Sequence, residues 1–77
     1  MQAISKIEQY VIDRVKELRL ENGISQAELA RLLDVSEGFI GNIESKNYRA
    51  KYNIKLLNEL AKIFKCSPRE FLPEKAF

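Results

Sequence analysis

Apolar side chains recur along the first twenty residues at intervals of three and four, which is the period of an amphipathic helix. The residues that share this spacing are Ile4, Ile7, Val11, Val15 and Leu18. Ser5 and Glu8 form a capping-box pattern at the start of the run. The pattern predicts a first helix near 5–22, and Gly23 can end it in a left-handed conformation.

Further amphipathic segments follow, each preceded by a side chain that can accept a hydrogen bond from the first turn of a helix. The cap candidates are Ser25, Ser36, Asn53 and Ser67. Glu28 and Glu70 complete two more capping-box patterns, and Pro73 ends the last segment. The predicted helices lie near 26–33, 37–45, 54–65 and, as a final turn or two, 68–72.

The second and third predicted helices are short and are joined by only about three residues. Such helices must cross steeply, which is the geometry of a helix-turn-helix. The chain has 77 residues, no strand pattern and no linker, so we expect a single all-α domain over residues 1–77 with its core at about 5–72. The predicted architecture has five helices, with helices two and three forming the helix-turn-helix.

The stretch QAELARLLDVSEGFIGNIES at residues 26–45 resembles the XRE or Cro/repressor-like helix-turn-helix family, and the likeness extends over roughly 10–72. The residues that carry it are Ser25, Gln26, Leu29, Ala30, Leu33, Val35, Ser36, Ile40 and Ile43. The resemblance implies a five-helix lambda repressor-like DNA-binding domain. It also implies a sequence-specific, repressor-like regulator that binds double-stranded DNA as a homodimer, in the bacterial cytoplasm and on the nucleoid when bound.

By this resemblance the third helix lies in the major groove and its early residues meet base edges. The base-contacting candidates are Ser36, Glu37, Gly38, Gly41 and Asn42. An amide such as that of Asn42 can pair bidentately with adenine. Glu37 either accepts from cytosine N4 or acts as a favourable charge at the helix N-terminus. Arg19 and Glu44 match a structural ion pair of the family.

Charge is unevenly distributed, although the net charge is only +2. Residues 1–45 carry five basic and eight acidic residues, whereas residues 46–65 carry six basic residues against one acidic. A basic stretch of this density suits a polyanion, or is a solvated lysine-rich face. The phosphate-contacting candidates are Gln26, Lys46, Asn47, Tyr48, Arg49, Lys51 and Lys55. We expect Tyr52 to pack over helix four instead.

Two features depart from the family pattern. Asp34 occupies the turn position where glycine is usual, and aspartate tolerates the left-handed region better than most residues. Gly38 and Gly41 lie inside the predicted recognition helix, where each costs about 1 kcal/mol relative to alanine. Their missing side chains let the backbone approach DNA closely, or allow tight packing against a neighbouring helix or subunit, or reflect neutral drift.

Other classes of function find little support. The chain has no histidine, one cysteine and no phosphate-binding glycine-rich loop, so we expect no enzyme, no cofactor and no metal site. No apolar run is long enough for a membrane span. The alternative function is an antitoxin-type module that binds a toxin or another protein partner. Its motive is an apolar fringe that a small core can leave unused, namely Ile4, Tyr10, Ile12, Phe71, Leu72 and Phe77.

Overall fold

The computed structural model describes residues 4–45 and 49–77. Its elements are α1 (Lys6–Glu21), α2 (Gln26–Leu33), α3 (Glu37–Glu44), α4 (Ile54–Phe64) and a 3₁₀ turn (Pro68–Phe71). No strand occurs in these two ranges, which confirms the all-α class. The α-helices begin and end within one residue of the predicted bounds, and none of those described is long and apolar enough to cross a membrane.

The prediction of five helices is wrong, because the described residues form four α-helices and the last element is a 3₁₀ turn. Its hydrogen bonds join residues three apart, from Glu70 N to Ser67 O at 2.9 Å and from Leu72 N to Arg69 O at 3.1 Å. The segment is four residues long and Pro73 follows closely, so no second turn of α-helix can form.

The predicted helix caps are present, although only one capping box is complete. The Ser5 hydroxyl accepts from Glu8 N, and the Glu8 carboxylate in turn accepts from Ser5 N at 3.0 Å. Ser25 caps α2 by accepting from Glu28 N at 3.0 Å, but the Glu28 carboxylate binds Arg31 instead of the cap backbone. The caps therefore fix the helix starts, while the partners of the carboxylates depend on nearby cations.

The turn between α2 and α3 is closed by Asp34 and Val35. Asp34 adopts the left-handed conformation at φ 59° and ψ 46°, which confirms the role expected of it at a position that favours glycine. Val35 N donates to Ala30 O at 2.9 Å, and the Val35 side chain packs against the core. The chain thus turns sharply enough for α2 and α3 to pack directly on each other.

The core draws on every helix and on the 3₁₀ turn. Its fully buried members are Val15, Leu29, Ile40, Leu60 and Phe71. The inward face of α1 is rotated from the predicted one, because Ile12 is 2% exposed whereas Ile7 is 42% exposed. Ile12 and Phe71 were predicted to belong to an unused apolar fringe, and that prediction is wrong for both.

A buried ion pair ties α1 to α3, as predicted. Arg19 Nε donates to Glu44 Oε2 at 2.9 Å and Arg19 Nη2 donates to Glu44 Oε1 at 2.8 Å, while Nη1 donates to Ile24 O at 2.8 Å. The two side chains are only 8% and 3% exposed. Burial opposes ionisation of Glu44, but its hydrogen bonds from Arg19 and Gln26 outweigh burial and hold the pKa of its carboxyl below the usual range.

Replacing Arg19 with methionine should destabilise the domain strongly. The Arg19→Met change leaves the Glu44 carboxylate buried without its cation, and the expected loss in free energy of unfolding is about 3–5 kcal/mol. Urea denaturation followed by circular dichroism measures this loss. Adding Glu44→Leu to the variant should restore much of the stability, because the buried charge is then absent.

The matched control is Arg31→Met. Arg31 also pairs with a glutamate, Glu28, but its side chain is 68% exposed. Its removal should cost less than about 1 kcal/mol. Equal losses in the Arg19→Met and Arg31→Met variants would contradict a structural role for the buried pair.

Candidate nucleic-acid interface

The recognition-helix candidate α3 has one buried face and one outward face. Ile40 and Ile43 are buried in the core, which confirms their predicted role as anchors. The predicted base-contacting residues all lie on the other side: Ser36, Glu37, Gly38 and Asn42 are exposed and Gly41 is partly exposed. The Ser36 hydroxyl accepts from Phe39 N at 3.0 Å as the helix cap. One continuous surface therefore brings these five residues together.

The two glycines of α3 are not required by packing within the described part of the chain. A Cβ added at Gly38 would meet nothing within 4 Å. A Cβ added at Gly41 would lie 3.6 Å from Gln26 Oε1, which is an ordinary contact. Packing against a neighbouring helix within the described residues thus does not explain the glycines.

Gln26 lies beside α3 and joins the buried ion pair. Its side-chain Nε2 donates to Glu44 Oε1 at 3.0 Å, so Glu44 receives hydrogen bonds from both α1 and the start of α2. Sequence reasoning predicted a phosphate contact for Gln26 and missed this bond, because the pairing depends on how α2 crosses α3.

Tyr52 lies beneath the same network. It is 8% exposed, which agrees with the burial implied by the prediction that it packs over helix four. Its hydroxyl has no hydrogen-bond partner within the described residues. Burial raises the pKa of Tyr52, and the charge of Glu44 raises it further. The connection between α3 and α4 is thus anchored in the core by the uncharged aromatic ring of Tyr52.

The predicted phosphate contacts are placed unevenly by the structure. Lys46, Asn47 and Tyr48 lie outside the described residues. Arg49 is exposed. Lys51 Nζ lies 2.6 Å from Glu8 Oε2 in an ion pair with the first turn of α1.

The Glu8–Lys51 pair was not predicted from the sequence. The hydrogen bond that Lys51 donates to the Glu8 carboxylate, together with those from Ser5, lowers the pKa of Glu8 to about 2. The pattern of Ser5 and Glu8 indicated only a helix cap, and no sequence signal places Lys51 against it. Phosphate has to compete with this carboxylate if it is to bind the Lys51 ammonium group.

Lys55 is exposed in the first turn of α4 and shares a surface groove with the start of α3. Asp34, Ser36 and Phe39 line the same groove. Lys55 is therefore the predicted phosphate contact whose position beside the outward face of α3 is clearest. Arg31 on α2 is a less available cation than Lys55, because its Nη2 is paired with Glu28 Oε2 at 2.6 Å.

The family comparison matches the helix-turn-helix family HTH_3 over residues 15–71. The chain belongs to this helix-turn-helix family. The matched span runs from the middle of α1 to the end of the 3₁₀ turn and includes the whole of α2, α3 and α4. The resemblance to XRE-type regulators is thereby confirmed.

Two solved regulators of similar length share the fold. The restriction-modification controller protein C.AhdI from Aeromonas hydrophila is 29% identical with a TM-score of 0.66, and the match covers 82% of this chain and 92% of that one. SinR, a master regulator for biofilm formation solved in complex with DNA, is 26% identical with a TM-score of 0.67, covering 79% and 95%. The family and these neighbours support the prediction of a DNA-binding regulator.

An enzyme also contains this fold. Hydroxypropylphosphonic acid epoxidase from S. wedmorenis gives a TM-score of 0.76 at 17% identity, covering 91% of this chain and 36% of that one. This chain thus spans about a third of the epoxidase, and at that identity the likeness shows the fold alone. A comparison with curated proteins finds no match. Residues 4–45 and 49–77 contain no group of His, Cys, Asp or Glu side chains suited to a metal ion.

Alanine at Gly38 or Gly41 should stabilise the domain. Neither new methyl group meets an obstacle within the described residues, and alanine is the better helix former, so each free energy of unfolding should rise by up to about 1 kcal/mol. Urea denaturation measures the change. Gly23→Ala is the control and should destabilise, because Gly23 has a φ of +67°. A loss of stability in Gly38→Ala would show that packing requires this glycine after all.

Proposed function

We propose that the protein is a sequence-specific regulator of transcription that binds double-stranded DNA with α3 in the major groove. The observation that carries the proposal is the two-sided character of α3. Its inner face is fixed to the core by Ile40, Ile43 and the Glu44 ion pair. Its outer face is exposed and carries few long side chains. A rigidly held helix with an accessible backbone suits entry into a groove.

Direct readout of bases falls mainly to two side chains, because Gly38 and Gly41 contribute none. Asn42 can donate to and accept from adenine at once. Glu37 can accept from cytosine N4, or it stabilises the positive end of the α3 dipole. With so few long side chains on the helix, DNA shape contributes to specificity as well.

Contacts to phosphate are proposed for the basic segment that follows α3. Arg49 and Lys55 are exposed, and Lys55 shares a groove with the start of α3. Lys46, Asn47 and Tyr48 are proposed on their sequence position alone. Lys51 contributes when phosphate displaces Glu8, and this exchange is favoured by the weakness of exposed ion pairs in water.

A homodimer is the proposed assembly, acting in the bacterial cytoplasm and associated with the nucleoid when bound. A single α3 of eight residues reads only a few base pairs. Two copies related by a two-fold axis would read both halves of a roughly palindromic operator, with half-sites about one helical turn apart. The antitoxin alternative is weaker, because Ile12 and Phe71 of its proposed apolar fringe are core residues.

DNA binding should depend steeply on salt concentration. With about four phosphate contacts in each of two subunits, a plot of log affinity against log salt should have a slope of about −7. Fluorescence anisotropy with labelled duplex DNA over a range of salt concentrations measures this slope. Absence of binding at about 50 mM salt, or a slope near zero, would contradict the proposed function.

Asn42 and Lys55 should differ in how they affect specificity. Asn42→Ala should relax the preference at one base position, by about 1–3 kcal/mol, and leave the other positions unchanged. Lys55→Ala should weaken binding to all sequences about equally and reduce the salt slope by about one. Both effects are measured as affinities for single-base variants of a binding site that is first selected from random duplex DNA.

The control for Lys55→Ala is Lys62→Ala. Lys62 lies on the same helix and carries the same charge, but its ammonium group is 3.3 Å from Glu59 Oε2. Lys62→Ala should therefore change the affinity and the salt slope much less. Equal effects of the two substitutions would mean that only the overall charge matters and that Lys55 makes no particular contact.

A further inference from the structure

The Gln26 side chain has its amide orientation fixed by Glu44. A carboxylate can only accept hydrogen bonds, so the group that faces Glu44 Oε1 at 3.0 Å has to be the Gln26 NH₂. The same oxygen also accepts from Arg19 Nη2 at 2.8 Å, so the pair stays charged and the arrangement is held from two sides. The amide carbonyl oxygen of Gln26 consequently points away from Glu44.

That oxygen lies beside the outward face of α3. The nearest neighbour of a Cβ built on Gly41 is Gln26 Oε1, at 3.6 Å. Gly41 is partly exposed and has no side chain, so nothing of its own covers the amide oxygen from this direction. Gln26 is partly exposed as well. A group that approaches the backbone of α3 at Gly41 therefore comes within reach of a fixed hydrogen-bond acceptor.

We propose that Gln26 Oε1 reads a base through the gap at Gly41 by accepting a hydrogen bond from an exocyclic amino group in the major groove. Adenine N6 and cytosine N4 offer such a donor there, whereas guanine O6 and thymine O4 are acceptors. Gln26 is then a specificity-determining residue through this oxygen. This assignment rests on the proposed function, since it requires α3 in the groove.

Chemistry argues against phosphate as the partner of this atom. Phosphate oxygens are acceptors, and they bind donors such as Arg, Lys or backbone N–H groups. One N–H of the Gln26 amide is directed at Glu44, and the atom on the Gly41 side is Oε1, an acceptor that cannot bind a phosphate oxygen. The arrangement also gives Gly41 a reason to be glycine, because a methyl group there would stand beside the acceptor in the path of the base.

The test compares base preferences of four forms of the full chain: the natural sequence, Gln26→Met, Gly41→Ala and Gly38→Ala. A binding site is first selected from random duplex DNA with the natural sequence. Fluorescence anisotropy then measures affinity for every single-base variant of that site. Methionine keeps the length of the Gln26 side chain but removes its acceptor. Thermal melting confirms that each form is folded at the assay temperature.

The natural sequence should prefer adenine or cytosine at one position by about tenfold. Gln26→Met should reduce that preference to within about twofold and leave the other positions intact. Gly41→Ala should weaken the preference at the same position. Gly38→Ala also changes the DNA-facing side of α3 and can lower the overall affinity, but it should not reduce the preference at this position, because a methyl group at Gly38 has no atom within 4 Å and does not meet Gln26.

Three results would overturn the assignment. A uniform loss of affinity in Gln26→Met would identify a phosphate contact, and an unchanged preference would show that Gln26 does not face the DNA. An effect of Gly38→Ala equal to that of Gly41→Ala would show that the position of the gap is irrelevant. If Gln26→Met does not fold, the comparison of the two alanine variants still decides. Absence of binding by the natural sequence to any duplex would overturn the proposed function itself.

Discussion

The placement of α3 depends on the carboxylate of Glu44. It stands at the last turn of α3 and accepts from Arg19 of α1 and from Gln26 at the start of α2. The remaining guanidinium nitrogen of Arg19 donates to Ile24 O, in the connection between α1 and α2. Such a buried pair adds little net stability compared with apolar side chains of the same size. Its effect is directional, since its hydrogen bonds tie the end of α3 to α1 and to the start of α2.

This constraint explains how α3 can carry a surface that is poor for helix stability. The helix has eight residues, and its two glycines together cost about 2 kcal/mol relative to alanine. A segment this short is not stable in isolation. Ile40 and Ile43 anchor it in the core, and Glu44 fixes its end. Because tertiary contacts supply the stability, the outward positions are free to be chosen for what they present to another molecule.

Local features of the sequence were sufficient to predict the helices, since each start is marked by a side chain that caps its own backbone. The inward face of α1 was harder to predict, because helical spacing favoured Ile7 and left Ile12 in the apolar fringe. Contacts with the rest of the core select Ile12. The last element was overestimated for a related reason, since a cap and a proline predict where a helix begins but not whether α or 3₁₀ bonds follow.

The candidate site was predictable in its residues but not in its bonds. The motif indicated Ser36 and four residues of α3 as base-contacting candidates, which are exposed or partly exposed, and it matched Arg19 with Glu44. It could not show that Gln26 binds Glu44 or that Lys51 pairs with Glu8, because nothing in the motif pairs these residues and each contact depends on how the elements pack. Both pairings change the chemistry: one holds an N–H of Gln26 against Glu44, and the other places a carboxylate beside the Lys51 ammonium group.

The Glu8–Lys51 pair makes the basic segment less positive towards solvent than its composition indicates. Lys62 likewise forms an ion pair with Glu59. Part of the excess positive charge of residues 46–65 is therefore already neutralised by carboxylates within the domain. These pairs are exposed and therefore contribute little to stability. A DNA backbone, with its dense phosphate charge, can take such a lysine from a single carboxylate at small cost. The cost falls on all sequences alike, so the exchange affects affinity without discriminating between sequences.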